Sequence, residues 1–189
     1  MREAKFIQGK RLYLRPVMKD DANIFQVWIN DREVTKFLVV NTPVTMQMQE
    51  KWVEDRAVND TSMVLSIVLN NGTLIGNIAV RDINRVDRTA NTGCVIGEKD
   101  EWGKGYGREA KMLFLDYLFN TLNLRKINST AIAFNGRSIS YQMKCGAVQE
   151  GLKKKQIFQD GQYHDEVVLA VFKEDFEKLW KKESGKFLS

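Results

Sequence analysis

The segment 102–108 alternates glycine with basic and aromatic residues, and it stands between a strand-like stretch and a long apolar helix. Glycine lets a ligand approach the main chain closely, and the first amides of a helix have no partner within that helix. These N–H groups, together with the positive end of the helix dipole, favour an anion. The pattern predicts a phosphate site made by the main chain of Gly103, Lys104, Gly105, Tyr106, Gly107 and Arg108.

Two common phosphate motifs do not fit this loop. The Walker pattern requires Ser or Thr after Gly-Lys, and the dinucleotide fingerprint requires a third glycine where this chain has Arg108. The loop instead resembles the pyrophosphate loop of the GNAT superfamily of acyl-CoA-dependent N-acetyltransferases, whose pattern is Gln/Arg-x-x-Gly-x-Gly/Ala. This chain departs from the pattern at the first position, where it has Trp102 in place of Gln or Arg. The resemblance implies acetyl-CoA as the cosubstrate, and a basic mouth formed by Lys104 and Arg108 would suit its phosphates.

A second segment, residues 134–147, extends the resemblance. Asn135 is a suitable helix cap, and Gly146 suits a left-handed helix end. In GNAT proteins an Asn, a Ser or Ala three residues later and a Gly at this spacing lie beside the pantetheine arm, which implies that Asn135 and Ser138 contact the coenzyme. The tail resembles the ribosomal-protein-alanine and polyamine acetyltransferase branches, and the whole resemblance covers about residues 10–176.

Periodicity and turn residues assign these motifs to a regular series of elements. We predict strands over residues 10–17, 63–69, 74–83, 89–98 and 126–133, then a final hairpin, with tight turns at Asn71-Gly72 and Asp160-Gly161. Helices are predicted over 20–30, 45–58, 106–122 and about 174–182, with a short helix ending at Gly146. This order indicates one α/β (α+β) domain over residues 1–189, in which a mixed, mostly antiparallel central sheet has helices on both faces, as in the GNAT fold.

The resemblance also implies a bulge in the strand that precedes the loop. In the GNAT fold that strand separates from its neighbour there, which leaves main-chain groups for the pantetheine amides and the thioester oxygen. The corresponding residues here are Val95, Ile96 and Gly97, up to Glu98, and Gly97 suits a kink.

The implied chemistry is direct attack of a neutral amine on the acetyl thioester. A thiol has a pKa near about 8.5, so an acid for the departing sulfur is helpful but not obligatory. Many relatives have a tyrosine four residues before the glycine that ends the short helix. That position here is Gln142, and Tyr141 precedes it. Tyr141 is the candidate acid, with a packing role as its alternative, while Glu98 and Asp82 are the candidate bases.

The segment that holds Trp28 and Phe37 resembles the border of the acceptor site in the ribosomal-protein-alanine branch. Those two aromatics are expected to pack, which leaves Asn30, Arg32 and Asp82 as candidates for contacting the acceptor. An α-amino group titrates near about 7.8 and an aliphatic amine near about 10.4, so the latter costs about 3.5 kcal/mol more to deprotonate. This favours a protein N-terminal α-amine as acceptor. A polyamine, an amino sugar and a catalytically silent acyl-CoA-binding module remain alternatives.

The composition of the chain limits the number of domains and the kinds of partner that are expected. The chain has 189 residues and 43% hydrophobic content, which suffices for one core. No apolar run approaches the roughly 20 residues that span a bilayer, so a cytoplasmic protein without a membrane partner is expected. Cys94, Cys145 and His164 lack ligand spacing, so no metal is expected. The net charge of +5 suits a phosphate ligand, no nucleic-acid motif is recognised, and a homodimer is compatible with the sequence.

Overall fold

The computed structural model describes residues 4–56 and 60–188. Eight strands and six helices follow one another in an order close to that predicted from the sequence. The strands are β1 (Ile7–Gln8), β2 (Leu12–Pro16), β3 (Met63–Leu69), β4 (Leu74–Asn84), β5 (Thr89–Ile96), β6 (Lys126–Ile132), β7 (Val148–Gln159) and β8 (Gln162–Phe172). The helices are α1 (Asp21–Asn30), α2 (Arg32–Thr35), α3 (Met46–Arg56), α4 (Tyr106–Asn120), α5 (Gly136–Met143) and α6 (Lys173–Glu183).

All eight described strands form one sheet in the order β1-β2-β3-β4-β5-β6-β8-β7. β5 and β6 are parallel, and the other neighbouring pairs within the described ranges are antiparallel. Alternate side chains of β5 point to opposite faces. Thr92 faces α4, where it contacts Lys111, and Gly97 lies against Trp28 of α1 on the other face. The predicted mixed, mostly antiparallel sheet with helices on both faces is therefore confirmed.

The parallel pair opens into a fork. β5 and β6 pair only at Thr89↔Lys126, Ala90↔Ile127 and Asn91↔Asn128. Beyond Asn91, no described residue of β5 pairs with β6, although β4 stays paired with β5 as far as Ile96. We call the space between residues 92–96 of β5 and residues 129–132 of β6 the fork. Its closed end is at Thr92, and its mouth lies next to the glycine loop.

Helix α4 occupies the centre of the main core. Its buried apolar residues include Met112, Phe114 and Leu118, all with no exposed surface, so the long apolar helix expected after the glycine loop is present and buried. A smaller core lies on the opposite face and includes Phe25, Trp28 and Val53. The packing role predicted for Trp28 is confirmed, since this side chain is only 7% exposed.

A buried ion pair joins the second core to the sheet. Both Nη atoms of Arg15 contact the carboxylate of Asp21, at 2.6 and 2.8 Å, and Ser66 donates to the same carboxylate at 2.7 Å. Burial by itself raises the pKa of Asp21, but the hydrogen bonds from Arg15, Met18 and Ser66 outweigh it and hold that pKa below the ordinary value. The pair fixes α1 against β2 and β3.

Most differences from the sequence predictions concern short elements. β1 and α2 were not predicted, because two and four residues carry no measurable periodicity. α3 begins at Met46, and the predicted end of this helix at Val58 lies outside the described residues. The turns at Gly72, with a φ of 90°, and at Asp160-Gly161, with φ of 50° and 81°, are confirmed. No helix within 4–56 or 60–188 is both long and apolar enough to cross a bilayer.

Candidate active site

The glycine loop presents a row of unpaired amides at the start of α4. Gly103 and Gly105 have φ of 79° and 85°, which glycine adopts without strain. Within the described part of the chain, the main-chain nitrogens of residues 103–108 donate to no protein acceptor, and the first amide of this helix that does so is Glu109, to the Gly105 carbonyl. Such consecutive amides at a helix N-terminus fit a diphosphate.

Arg11 and Glu109 anchor this loop, and the sequence analysis missed both. The main-chain N and the Nε of Arg11 donate to the Glu109 carboxylate at 2.8 and 2.6 Å, and Nη1 donates to the Lys104 carbonyl at 2.9 Å. The Arg11 guanidinium also lies 4.6 Å from the ring centroid of Tyr106. Glu109 has no exposed surface, so its charge depends on Arg11. Because these contacts tie the loop to the start of β2, the amides are held in place before a ligand binds.

The basic mouth predicted from Lys104 and Arg108 is only partly present. The Nη2 of Arg108 donates to the Lys144 carbonyl at 3.0 Å and forms an ion pair with Glu183. Its guanidinium therefore binds the end of α5 to α6, and the prediction that this side chain faces the phosphates is wrong. Lys104 contacts Glu101 at 2.9 Å on the surface beside the loop.

A bulge lies where it was expected, but its amides are occupied. The N–H groups of Gly97 and Glu98 both donate to the Ile75 carbonyl, at 2.9 and 3.1 Å, which is the hydrogen-bond pattern of a β-bulge. The expected kink at Gly97 is present, but the amides of Gly97 and Glu98 are not among the groups left for the coenzyme. Gly97 is required for packing, because a Cβ atom there would lie 2.0 Å from the Trp28 ring.

Ile96 and Cys94 instead direct their main-chain groups into the fork. Val95 pairs with Asn77, and main-chain groups alternate sides along an antiparallel ladder, so the residues beside Val95 point away from β4. The Ile96 carbonyl accepts a hydrogen bond from Trp102 Nε1 at 2.7 Å. A pantetheine arm entering the fork would thus meet the backbone of Ile96 and Cys94.

Helix α5 lies beside the fork and is hydrogen-bonded to β6. Asn135 accepts from the Ser138 amide at 3.0 Å, which confirms the predicted cap, and Gly146 has the predicted left-handed φ of 89°. Gln142 accepts from Ser129 on β6 and lies 3.3 Å from the Ser138 hydroxyl. Tyr141 packs against the main core, and burial raises its pKa well above the ordinary value. It is thereby a poorer acid for a thiolate than an exposed tyrosine.

A cavity of about 540 Å³ lies beside α2, in the segment that the sequence predicts to border the acceptor site. It opens between α2 with its following loop and the β7–β8 hairpin, and its lining comprises Arg32, Thr35, Lys36, Val40, Asn41, Phe158, Gln159 and Asp160. Arg32 is therefore placed where an acceptor contact is possible. Asn30 is not: its side-chain amide donates to Gln26 and Val44 and accepts from the Val44 amide, so it holds the loop to α1.

Asp82 lies at the end of β4 that is far from the bulge. β4 is antiparallel to β5, so the end of β4 lies beside the start of β5. The Asp82 carboxylate accepts from Asn91 at 2.9 Å, and Asn91 is about 17 Å from Ile96 along the strand at about 3.3 Å per residue. Asp82 therefore lies beside the closed end of the fork and not at the bulge, and its assignment as base or acceptor contact stays a prediction. Glu98, directly at the bulge, remains a candidate base.

Arg137 contacts two aromatic rings between the cavity and the fork mouth. The Arg137 guanidinium lies 4.4 Å from the Trp102 ring centroid and 5.3 Å from that of Phe37. Phe37 is adjacent to Lys36 of the cavity lining, and Trp102 binds Ile96. The sequence analysis assigned no role to Arg137, because cation–π pairs between distant segments leave no local pattern.

A helix start with unpaired amides beside a forked mixed sheet is the arrangement expected of an acyl-CoA-dependent transferase. Residues 11–148 match the family model described as an acetyltransferase (GNAT) domain. The chain therefore belongs to the GNAT family of N-acetyltransferases, which uses acetyl-CoA.

Several relatives support this assignment. The chain is 28% identical over 169 residues to the SPβ prophage-derived uncharacterized N-acetyltransferase YokL of Bacillus subtilis, covering 89% of this chain and 94% of that protein. It is 26% identical over 163 residues to the spermidine N(1)-acetyltransferase of Escherichia coli, covering 86% and 87%. The structure of spermidine N-acetyltransferase from Vibrio cholerae in complex with CoA and spermine superposes with a TM-score of 0.83 at 23% identity, covering 88% and 98%, which shows the common fold.

Proposed function

We propose that this enzyme transfers the acetyl group of acetyl-CoA to the N-terminal α-amine of a peptide or protein. The observation that carries the proposal is the charge of the cavity lining. Arg32 and Lys36 contribute two positive charges, against the single carboxylate of Asp160. Arg137 adds a further cation between this cavity and the fork mouth. A polyamine carries several positive charges, which such a lining would repel.

The nearest acidic residues of α2 are already neutralised. Lys99 contacts Asp31 at 2.9 Å and also forms an ion pair with Glu33. Hydrogen bonds to Glu33 and Asp31 raise the pKa of Lys99 above its ordinary value, so Lys99 stays protonated beside these two carboxylates. A peptide N-terminus suits the site better, because it has one amine followed by carbonyl groups to which Arg32 and Lys36 could donate.

The acidity of the acceptor supports the same choice. The candidate bases are Glu98 at the bulge and Asp82 beside the closed end of the fork. An α-amine needs about 3.5 kcal/mol less for deprotonation than an aliphatic amine, so it makes a smaller demand on either carboxylate.

The coenzyme would lie along the elements described above. The amides of residues 103–108 would bind its diphosphate, and the backbone of Cys94 and Ile96 would pair with the pantetheine arm. We keep Ser138 as a contact, since its hydroxyl accepts from Gln142, which is itself bonded to Ser129 of β6 at the edge of the fork. Asn135 would act by holding the start of α5.

The experiment is an acceptor panel. Release of free thiol from acetyl-CoA is measured with an alanine-terminated peptide, spermidine and an amino sugar at matched concentrations. We expect kcat/KM for the peptide to exceed the other two by at least about tenfold, the factor for 1.4 kcal/mol. Spermidine turnover equal to or above that of the peptide would overturn the proposal and support a polyamine acetyltransferase, as the name of the Escherichia coli relative suggests.

A charge-reversal pair sharpens this test. In the double variant Arg32→Glu and Lys36→Glu the cavity becomes acidic, so spermidine turnover should rise relative to peptide turnover. Arg85→Glu is the matched control, because Arg85 is an exposed residue in the turn between β4 and β5, outside the cavity. An unchanged ratio in the double variant would show that the cavity does not receive the acceptor.

A further inference from the structure

Lys111 of α4 is buried without a counter-ion. The residue is 1% exposed, and its Nζ donates to the Thr92 hydroxyl on β5. Within residues 4–56 and 60–188, no carboxylate lies within ion-pair distance of it. A buried ammonium group is costly unless it is paired. An uncompensated lysine in a well-packed core therefore calls for a functional explanation.

The position of Lys111 in the fold indicates such a function. Thr92 is the first residue of β5 beyond its last pair with β6, and its hydroxyl lies 3.5 Å from the Asn128 carbonyl of β6. The Lys111 ammonium is thus held at the closed end of the fork, level with Ser129, whose hydroxyl donates to Gln142. One of its three N–H groups is used by Thr92, which leaves donors for a ligand atom.

The other groups around Lys111 cannot neutralise it. Cys94 of β5 and Cys145 after α5 are its titratable neighbours. Burial raises the pKa of the Cys94 thiol to about 12 and that of Cys145 to about 11, so both are uncharged near neutral pH. Tyr141 of α5 lies beside the two thiols, and burial raises its pKa as well.

We propose that Lys111 is the acid of the transfer reaction: its ammonium group stabilises and then protonates the sulfur of the departing coenzyme. This inference rests on the proposed acetyl transfer. The amine nitrogen attacks the carbonyl carbon, and the C–S bond breaks with its electron pair on sulfur. Lys111 gives a proton to that thiolate, and the proton lost by the amine passes to solvent. Lys111 recovers a proton from solvent when the products leave.

The acidity of Lys111 suits this step. Burial lowers its pKa to about 8, close to the pKa of about 8.5 of a free thiol. An acid matched in this way transfers a proton to a thiolate with little energetic penalty. Tyr141, with its raised pKa, holds its proton more tightly. Lys111 would therefore perform the task that a tyrosine at the position of Gln142 performs in many relatives.

The decisive measurement is the pKa of the thiol of bound CoA, which requires no acceptor amine. Thiolate formation is followed by ultraviolet absorbance in complexes of CoA with the wild type, Lys111→Met and the surface control Lys178→Met. The cysteine thiols of the protein titrate higher and do not interfere below about pH 10. A cation within about 4–6 Å lowers the pKa of an acidic group by about 1–3 units. We expect the bound thiol to titrate at least about one unit higher in Lys111→Met than in the wild type and the control.

Stability and turnover separate this role from a structural one. Because Lys111→Met removes an unpaired buried charge, it should raise the midpoint of thermal unfolding and still bind CoA with an unchanged Kd. Its kcat should fall by about 100-fold, the lower end of the range for general acids. The wild-type kcat should decline as pH rises through about 8, since the ammonium is the active form, and the variant should lack this decline.

Two results would overturn the proposal. Equal thiol pKa values in the wild-type and Lys111→Met complexes, or loss of CoA binding in the variant, would show that Lys111 does not act on the sulfur. If Lys111→Met does not fold, Thr92→Val serves in its place, and it should raise the thiol pKa part of the way. An absence of turnover with every amine on the wild type would instead count against the proposed function, while the thiol titration would still decide the role of Lys111.

Discussion

Alanine at Gly105 tests how the loop holds its amides. Gly105 has φ 85° and ψ 7° as the residue before α4. An added Cβ atom would meet only Arg11 Nη2 at 3.6 Å, an ordinary contact, so the variant introduces no clash. Its cost comes from the left-handed backbone, about 1–2 kcal/mol for a residue with a Cβ atom. Either the loop keeps its shape and stability falls by that amount, or it relaxes and the affinity for CoA falls by about 5-fold to 30-fold.

Gly107→Ala is the matched control. Gly107 is inside the first turn of α4, and its added Cβ atom would lie 3.7 Å from Ile96 Cγ1. Alanine favours a helix over glycine by about 1 kcal/mol, so this variant should be as stable as the wild type or more stable. Urea unfolding gives the stability, and calorimetric titration gives the Kd for CoA. Unchanged values of both quantities in Gly105→Ala, or a loss of stability in Gly107→Ala equal to that in Gly105→Ala, would refute this reasoning.

Two further variants and one pH dependence follow from buried charges. Asp21→Asn removes the carboxylate from the buried Arg15, so the free energy of unfolding should fall by about 3–5 kcal/mol in urea denaturation; a loss below about 1 kcal/mol would contradict this. The pKa of Asp21 is lowered in the folded state, so its contribution to the free energy of unfolding is complete above about pH 4 and is lost as pH falls through the folded-state pKa. Asp21→Asn should therefore lose less stability than the wild type when both are titrated with acid. Arg11→Met leaves the carboxylate of Glu109 unpaired and releases the Lys104 carbonyl, so the Kd for CoA should rise by about tenfold in calorimetry, and an unchanged Kd would show that the loop needs no such anchor.

Local features of the site could be predicted from the sequence, and contacts between distant segments could not. The glycine loop, the Asn135 cap and the Gly146 helix end each lie within a few residues, so backbone preferences alone indicate them. The Arg11–Glu109 pair joins residues 98 positions apart. No local pattern indicates such a pair, and only the folded sheet brings the two side chains together.

Two side chains lie elsewhere than the sequence suggested, because sequence order does not give direction in space. Asp82 is at the end of a strand, but β4 and β5 are antiparallel, so this end is distant from the bulge. Arg108 lies in the loop, yet its side chain points back to Glu183. The burial of Lys111 could not be predicted for a related reason. This residue interrupts an apolar helix pattern, and it becomes buried only where β5 packs against α4.

The central claim is that the main-chain amides of residues 103–108 bind the diphosphate of coenzyme A. Hydrogen exchange of these amides, measured by NMR with and without saturating CoA, tests it most directly. The amides have no protein acceptor, so they should exchange rapidly in the free protein and at least about 100-fold more slowly in the complex. Exchange at an unchanged rate in a complex that calorimetry shows to be saturated would contradict the claim.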